Sequence, residues 1–316
     1  MTPKEQILRV IQKGKISGSW LISGPFGVGK KAFVSSLAHY LTSGNWAEDY
    51  AYNSQIKWIE CGLTEEAKKE IQKMILAGKE VEENAKTVAR KKEITVDDIR
   101  EGIQFLSLKP GAGEFRILIV SLAEDMNINA ANALLKVLEE PYERSVIILI
   151  SENTGKLLPT ILSRCRKIIF PLETFENTVA YIQKTYPNCK APELMAELSN
   201  GSFGMADMIY QQNGIELYQK INAFLVPLQQ VNIEQLNKFA EDVSKDEVTY
   251  DLFLSFLNHI LLDKTRRFAV SCHPKGELLT DLYFDIQALF GKTNSLYLDK
   301  KQIIINTLLR IGGELN

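Results

Sequence analysis

Two apolar runs with a helical segment between them constrain the fold of this chain more than any other feature of its sequence. The runs are Phe115–Val120 and Ser145–Ser151, and each has the composition of a strand that is buried on both faces. Between them, residues 129–140 place apolar side chains at spacings of three and four, which indicates one buried face of a helix, and Pro141 ends that helix. The order strand, helix, strand predicts an α/β domain.

A glycine-rich segment follows a short predicted strand, Trp20–Ser23. Residues 24–31 fit the phosphate-binding pattern G-x-x-x-x-G-K-[ST] at every fixed position except the last, where Lys31 replaces the hydroxyl residue that binds Mg²⁺. Glycines let backbone N–H groups point at phosphate oxygens, and the lysine would reach the outer phosphates. The candidate phosphate-binding residues are Gly24, Gly27, Gly29 and Lys30. The segment predicts either a weak, degenerate ATP site or a glycine turn that binds no nucleotide.

Two motifs on either side of the second apolar run are more specific. Residues 132–141 read Asn-Ala-Leu-Leu-Lys-Val-Leu-Glu-Glu-Pro, and Leu157–Ile161 leads into a Ser-Arg-Cys triplet at residues 163–165. Together these motifs resemble the clamp-loader AAA+ family. The resemblance covers roughly residues 15–210 and extends to the remainder only through its general helical character.

The resemblance implies a fold of the class α/β plus all-α, with three domains. These are an AAA+ P-loop-type domain with a parallel sheet at residues 1–171, a small helical lid at 172–213 and a helical collar at 214–316. A chain of 316 residues is too long for one typical core, which agrees with several domains. Residues 64–92, rich in Glu and Lys, are predicted to form a solvated helical insertion.

The Ser-Arg-Cys triplet supplies the candidate catalytic residues. They are Arg164 and its neighbours Ser163 and Cys165. By resemblance to the family, such an arginine acts in trans, as an arginine finger, on a nucleotide that is bound to a neighbouring subunit. A finger of this kind raises the rate by about 10³ to 10⁵, which is a reason for a subunit without activity of its own to retain one.

Several parts of an ATPase are missing by the same resemblance. In an active member the strand at 117–120 would be followed by an Asp that holds Mg²⁺ and commonly a Glu that orients water, whereas this chain has Ser121 and Leu122. Glu124 and Asp125 lie beyond the end of the strand and are not expected to substitute. Met205 stands where a nucleotide-sensing arginine would be. The sequence therefore predicts no ATP hydrolysis by this chain alone and no required cofactor.

The spacing of the cysteines bears on metal binding, and the balance of charges bears on DNA binding. The cysteines, Cys61, Cys165, Cys189 and Cys272, include no pair at zinc-ligand spacing, so we expect reduced thiols and no bound metal. Lys and Arg number 37 against 39 Asp and Glu, so any DNA contact should come from a local patch or from partner subunits. No apolar run approaches the ~20 residues of a membrane span and no signal peptide is visible, which predicts a cytoplasmic protein.

Three functions from different classes remain open. The favoured one is a non-hydrolysing clamp-loader subunit, whose implied partners are the other loader subunits, the sliding clamp and, through the complex, primer-template DNA. The second is an active AAA+ ATPase, either the motor of the same machine or a related DNA remodelling enzyme. The third is a binding module that uses an AAA+ fold outside replication.

Overall fold

A computed structural model describes residues 3–12, 16–44, 46, 53–61, 93–109, 111, 115–270, 280–286, 288–289 and 299–315. The predicted helical insertion at 64–92 and Cys272 lie outside these residues. The chain divides into two compact units, Met1–Leu172 and Glu173–Asn316. Each unit is described by itself below.

The first unit is built on a five-stranded sheet in which every paired strand is parallel to its neighbour. The strands are β1 (Gly18–Ser23), β2 (Ile56–Ile59), β3 (Arg116–Val120), β4 (Ser145–Ser151) and β5 (Arg166–Ile169). Their order across the sheet is β2-β3-β4-β1-β5. The predicted α/β fold with a parallel sheet is thus confirmed.

Helices cover both faces of this sheet, which explains why its central strands are continuous apolar runs. The helices are α1 (Pro3–Gln12), α2 (Lys30–Ser43), α3 (Val96–Ser107), α4 (Ile128–Glu139) and the short α5 (Pro159–Leu162). One core joins α1 and α2 to alternate residues of β4, among them Ile148, and a second core joins α3, α4 and α5 to the intervening ones, among them Ile147. The sheet is the middle layer of three.

The register of the sheet decides which loops meet. Ser23 at the end of β1 pairs with Ser151 at the end of β4, and Val120 at the end of β3 pairs with Leu149. The segments that follow these three strands therefore emerge at the same edge. Ligands of open parallel sheets bind at this carboxyl edge, which is where the glycine-rich loop lies.

The second unit is helical in all its described elements. They are α6 (Phe175–Thr185), α7 (Pro192–Ser199), α8 (Phe203–Gln211), α9 (Gly214–Phe224), α10 (Ile233–Lys245), α11 (Glu247–Val270) and α12 (Lys300–Leu315). One hydrophobic core runs from Ile182 on α6 to Ile311 on α12, so it contains residues from both sides of position 213. The division into a lid at 172–213 and a collar at 214–316 stays a prediction. Within the described ranges, every helix is too short or too polar to cross a membrane.

Candidate functional site

The glycine-rich loop after β1 has the backbone conformation that its glycines predict. Gly24, Gly27 and Gly29 have positive φ angles of 154°, 73° and 84°, which glycine adopts without steric cost. A Cβ on Gly24 would lie 2.3 Å from the carbonyl oxygen of Phe170, so this position also has no room for a side chain. The Gly24 N–H donates to the carbonyl oxygen of Ser151 over 3.2 Å, which ties the loop to the end of β4.

Lys30, the first residue of α2, turns its ammonium group back into this loop. Its side chain is buried, and Nζ donates to the carbonyl oxygens of Gly24 at 2.7 Å and Pro25 at 2.5 Å. The same nitrogen lies 3.6 Å from Oε1 of Glu152, the residue after β4. A lysine ammonium has three N–H donors; two of them go to these carbonyl groups, and the carboxylate of Glu152 lies within ion-pair distance of the same nitrogen.

Burial and charge act against each other in the Lys30–Glu152 pair. Burial lowers the pKa of Lys30, and the carboxylates of Glu152 and Glu124 oppose that change. Burial also raises the pKa of Glu152, against the attraction of Lys30, while the charges of Glu124 and Asp125 push it further up. Both directions follow from the cost of removing a charge from water. The pair is therefore a charge cluster rather than an isolated surface bridge.

Glu124 has a role that the sequence reasoning missed. Its Oε1 accepts hydrogen bonds from the backbone N–H groups of Glu152 at 2.7 Å and Asn153 at 3.0 Å. Oε2 of Glu124 and Oγ of Ser151 are buried without a hydrogen-bond partner among the residues that the structure describes. The carboxylate thus connects the segment after β3 to the segment after β4. The signal available in the sequence was an acidic residue shortly after a buried strand, at the edge where ligands bind.

The residues at the expected metal position do not form a Mg²⁺ site. The Ser121 N–H donates to the Ile59 carbonyl oxygen at 2.8 Å, and Leu122 has a left-handed backbone with φ of 56°. Lys31 points away from the loop: its Nζ lies 3.0 Å from Oε2 of Glu60 and 5.6 Å from the centre of the Trp58 ring. Within the described ranges, no three His, Cys, Asp or Glu side chains are grouped to hold a metal ion. Lys31 therefore offers no hydroxyl oxygen, and Leu122 no carboxylate, to a Mg²⁺ ion at this loop.

Arg164 lies between α5 and β5, where its guanidinium group is held by its own unit. Nε and Nη2 each lie 3.2 Å from Oε2 of Glu139, and Nη1 donates to the Thr160 carbonyl oxygen at 3.1 Å. Nη1 also lies 3.4 Å from the hydroxyl of Ser163, which itself donates to Thr160. The Arg164 side chain keeps 31% of its surface exposed. The group is therefore oriented, and a partner can still reach it.

The other two predicted residues, Cys165 and Met205, occupy apolar surroundings. Cys165 belongs to the core that α4 and α5 build on the sheet. In the second unit, Met205 lies in the first turn of α8, where its N–H donates to Oγ of Ser202 and its side chain packs against the helical core. Cys165 is thus a packing residue next to Arg164, and Met205 is an apolar residue packed against the core of the helical unit.

The burial of Cys165 leads to a prediction about its reactivity. Burial raises the pKa of this thiol to about 11. A raised pKa keeps the proton on sulfur, so at pH 8 roughly one thiol in a thousand is the reactive thiolate. We expect iodoacetamide to alkylate Cys165 much more slowly in the folded chain than in urea, as measured by peptide mass spectrometry. Equal rates in both conditions would show that this cysteine is not buried.

Comparison with known proteins supplies the context for this geometry. The sequence model of a family described as DNA polymerase III, delta subunit, matches residues 2–174. The delta' subunit of DNA polymerase III from Pseudomonas aeruginosa is 30% identical over 197 residues, which are 61% of this chain and 56% of that protein. The tau subunit from Bacillus subtilis is 28% identical over 189 residues, which are 57% of this chain and 30% of that protein.

A solved structure is also similar over the full length. The gamma subunit-related protein of DNA polymerase III from Thermotoga maritima shares 20% identity over 98% of both chains, with a TM-score of 0.49. Among the sequence relatives, by contrast, the match spans only about half of the Pseudomonas protein and less than a third of the Bacillus protein.

Proposed function

Because this chain belongs to the family of DNA polymerase III delta subunits, we propose that it is a delta-prime-like subunit of the clamp loader that does not hydrolyse ATP. It serves as a scaffold and supplies Arg164 to a nucleotide on a neighbouring subunit during the loading of sliding clamps. Its partners in this proposal are the other loader subunits, the clamp and, through the complex, primer-template DNA. A role in replication would put it in the cytoplasm.

One observation carries the proposal: the two cations of the predicted site are used in opposite ways. Lys30 is buried, donates to carbonyl groups of its own loop and forms an ion pair with Glu152. Arg164 is partly exposed and oriented at the surface. Phosphoryl transfer needs a phosphate cradle, a held metal ion and a cation for the developing charge. In this proposal the chain offers a neighbour the last of these and does not hold the metal ion itself.

The contact between Arg164 and Glu139 is compatible with a role in trans. An ion pair as exposed as this one contributes about 0–1 kcal/mol to stability. A nucleotide phosphate carries more charge than a carboxylate and accepts the same two-pronged hydrogen bonds from a guanidinium group. Glu139 can therefore hold the arginine in place until a phosphate of the neighbouring subunit takes over.

The isolated chain provides the first test. We expect no ATP hydrolysis above the buffer rate, with or without primed DNA, because the metal-binding Asp and the water-positioning Glu are replaced by Ser121 and Leu122. The measurement is phosphate release from the purified chain. DNA-stimulated turnover that disappears in Lys30→Ala would support the active-ATPase alternative instead.

The alternative of a binding module outside replication makes a different prediction. If the proposal is correct, the chain co-purifies with the other clamp-loader subunits of its source organism and restores clamp loading to a loader reconstituted without it. Failure in both experiments would exclude the replication role.

A further inference from the structure

The proposed function does not say which residues would keep a nucleotide out of the loop after β1. Gly27 and Gly29 have the left-handed conformations that are typical of phosphate-binding loops. Lys30, at the start of α2, is the residue that would contact the outer phosphates. The groups that contact Lys30 therefore decide whether this loop can take a phosphate.

We propose that the carboxylate of Glu152 occupies Lys30 as an internal substitute for a phosphate and so keeps the loop closed to nucleotides. This inference rests on the proposed function as a non-hydrolysing subunit and names the residue that enforces it at this site. Oε1 of Glu152 lies 3.6 Å from Nζ of Lys30. Two N–H donors of Lys30 go to the carbonyl groups of Gly24 and Pro25, so an anion that entered the loop would have to displace the carboxylate that already neutralises the ammonium group.

Glu124 fixes the position of this internal anion. It accepts hydrogen bonds from the backbone N–H groups of both Glu152 and Asn153, and these hold the segment after β4 against the loop. Gly24 donates to the carbonyl oxygen of Ser151 and ties the same segment from the other side. Glu152 is therefore presented to Lys30 by the backbone on both sides of it.

The charges around the loop add a second barrier. A di- or triphosphate that entered it would meet the carboxylates of Glu152 and Glu124, and Asp125 also acts on Glu152 from the same side. Lys156 acts on the carboxylate of Asp125, where it lowers the pKa against the effect of burial. Negatively charged carboxylates next to the loop disfavour the binding of an anion there. Removing the charge of Glu152 should both leave Lys30 without this ion-pair partner and lower the repulsion.

Nucleotide binding by the full-length chain tests the inference. Isothermal titration calorimetry with ADP should give a dissociation constant no tighter than about 1 mM for the wild-type chain, whereas Glu152→Gln should bind at least about tenfold more tightly than that limit. Glu152→Ala removes the same carboxylate and should show the same gain, which guards against a folding defect of either variant. Adding Lys30→Ala to Glu152→Gln should abolish the gain.

Glu143→Gln is the matched control, because it makes the same change in charge at an exposed residue just before β4, at the opposite edge of the sheet. The inference is overturned if neither variant at Glu152 binds ADP more tightly than wild type. It is equally overturned if Glu143→Gln gains as much, or if the gain survives Lys30→Ala. ADP binding does not involve Arg164, so these results do not test the proposed action of Arg164 in trans. A loader whose activity does not depend on Arg164 would likewise not change the conclusion about Glu152.

Discussion

Replacing Arg164 with Ala should lower ATP hydrolysis about 10³- to 10⁵-fold at the one site of a reconstituted loader that faces this subunit. The expected loss is large because a finger stabilises charge that develops only in the transition state. The sites that this subunit does not face should be unaffected, so total hydrolysis should fall only by the share of this one site. Loading of clamps onto primed DNA should become poor.

Glu139→Gln provides the sharpest control for this substitution. It removes the charged partner of Arg164 within the chain but leaves the guanidinium group available. If Arg164 acts on a neighbour, Glu139→Gln should retain loader activity while Arg164→Ala loses it. If the arginine only braces its own unit, both changes should lower the melting temperature of the isolated chain by similar amounts, and the assembled loader should hydrolyse ATP at the unmutated rate.

Replacing Phe253 with Ala should destabilise the helical unit by about 3–5 kcal/mol. Phe253 lies on α11 and is fully buried. Its ring centre is 6.3 Å from that of Phe239 and 6.4 Å from that of Tyr250. Loss of the ring leaves a cavity in the core that α6 to α12 share, and surrounding side chains only partly fill such a cavity. Hydrogen exchange of peptides from residues 247–270 in increasing urea measures the change.

Phe284→Ala is the corresponding surface control. Phe284 is 63% exposed, so the same change in volume should alter stability by less than about 0.5 kcal/mol. Similar losses for Phe253→Ala and Phe284→Ala would mean that the core of this unit is not arranged as described.

The central strands could be predicted because burial on both faces leaves an unbroken apolar signal. The predicted run at 145–151 coincides with β4, and the predicted helix at 129–140 is shifted by one residue from α4. The edge strand β5 gave no such signal. β5 reads Arg-Lys-Ile-Ile and buries only Ile168, so its residues do not differ in pattern from a loop. Its position depends on pairing with β1, which is a tertiary property.

The loop and the arginine motif could likewise be located from the sequence, but their partners could not. Glu124 and Glu152 are 28 residues apart, and only the register of β3 with β4 brings them together. Arg164 and Glu139 are 25 residues apart in the sequence, and the fold brings them into contact. Short motifs identify residues that carry a chemistry, whereas the groups that engage those residues are chosen by the fold.

If the chain does not hydrolyse ATP, as proposed, the carboxylate of Glu124 makes that activity difficult to introduce with one substitution. It already accepts hydrogen bonds from the backbone N–H groups of Glu152 and Asn153, so it has a structural role at this edge of the sheet. An Asp reintroduced at position 121 would add a further negative charge beside Glu124, Asp125 and Glu152, and Lys31 would still be paired with Glu60. Under this proposal, an active site here would require several coordinated changes, each of which is unfavourable alone.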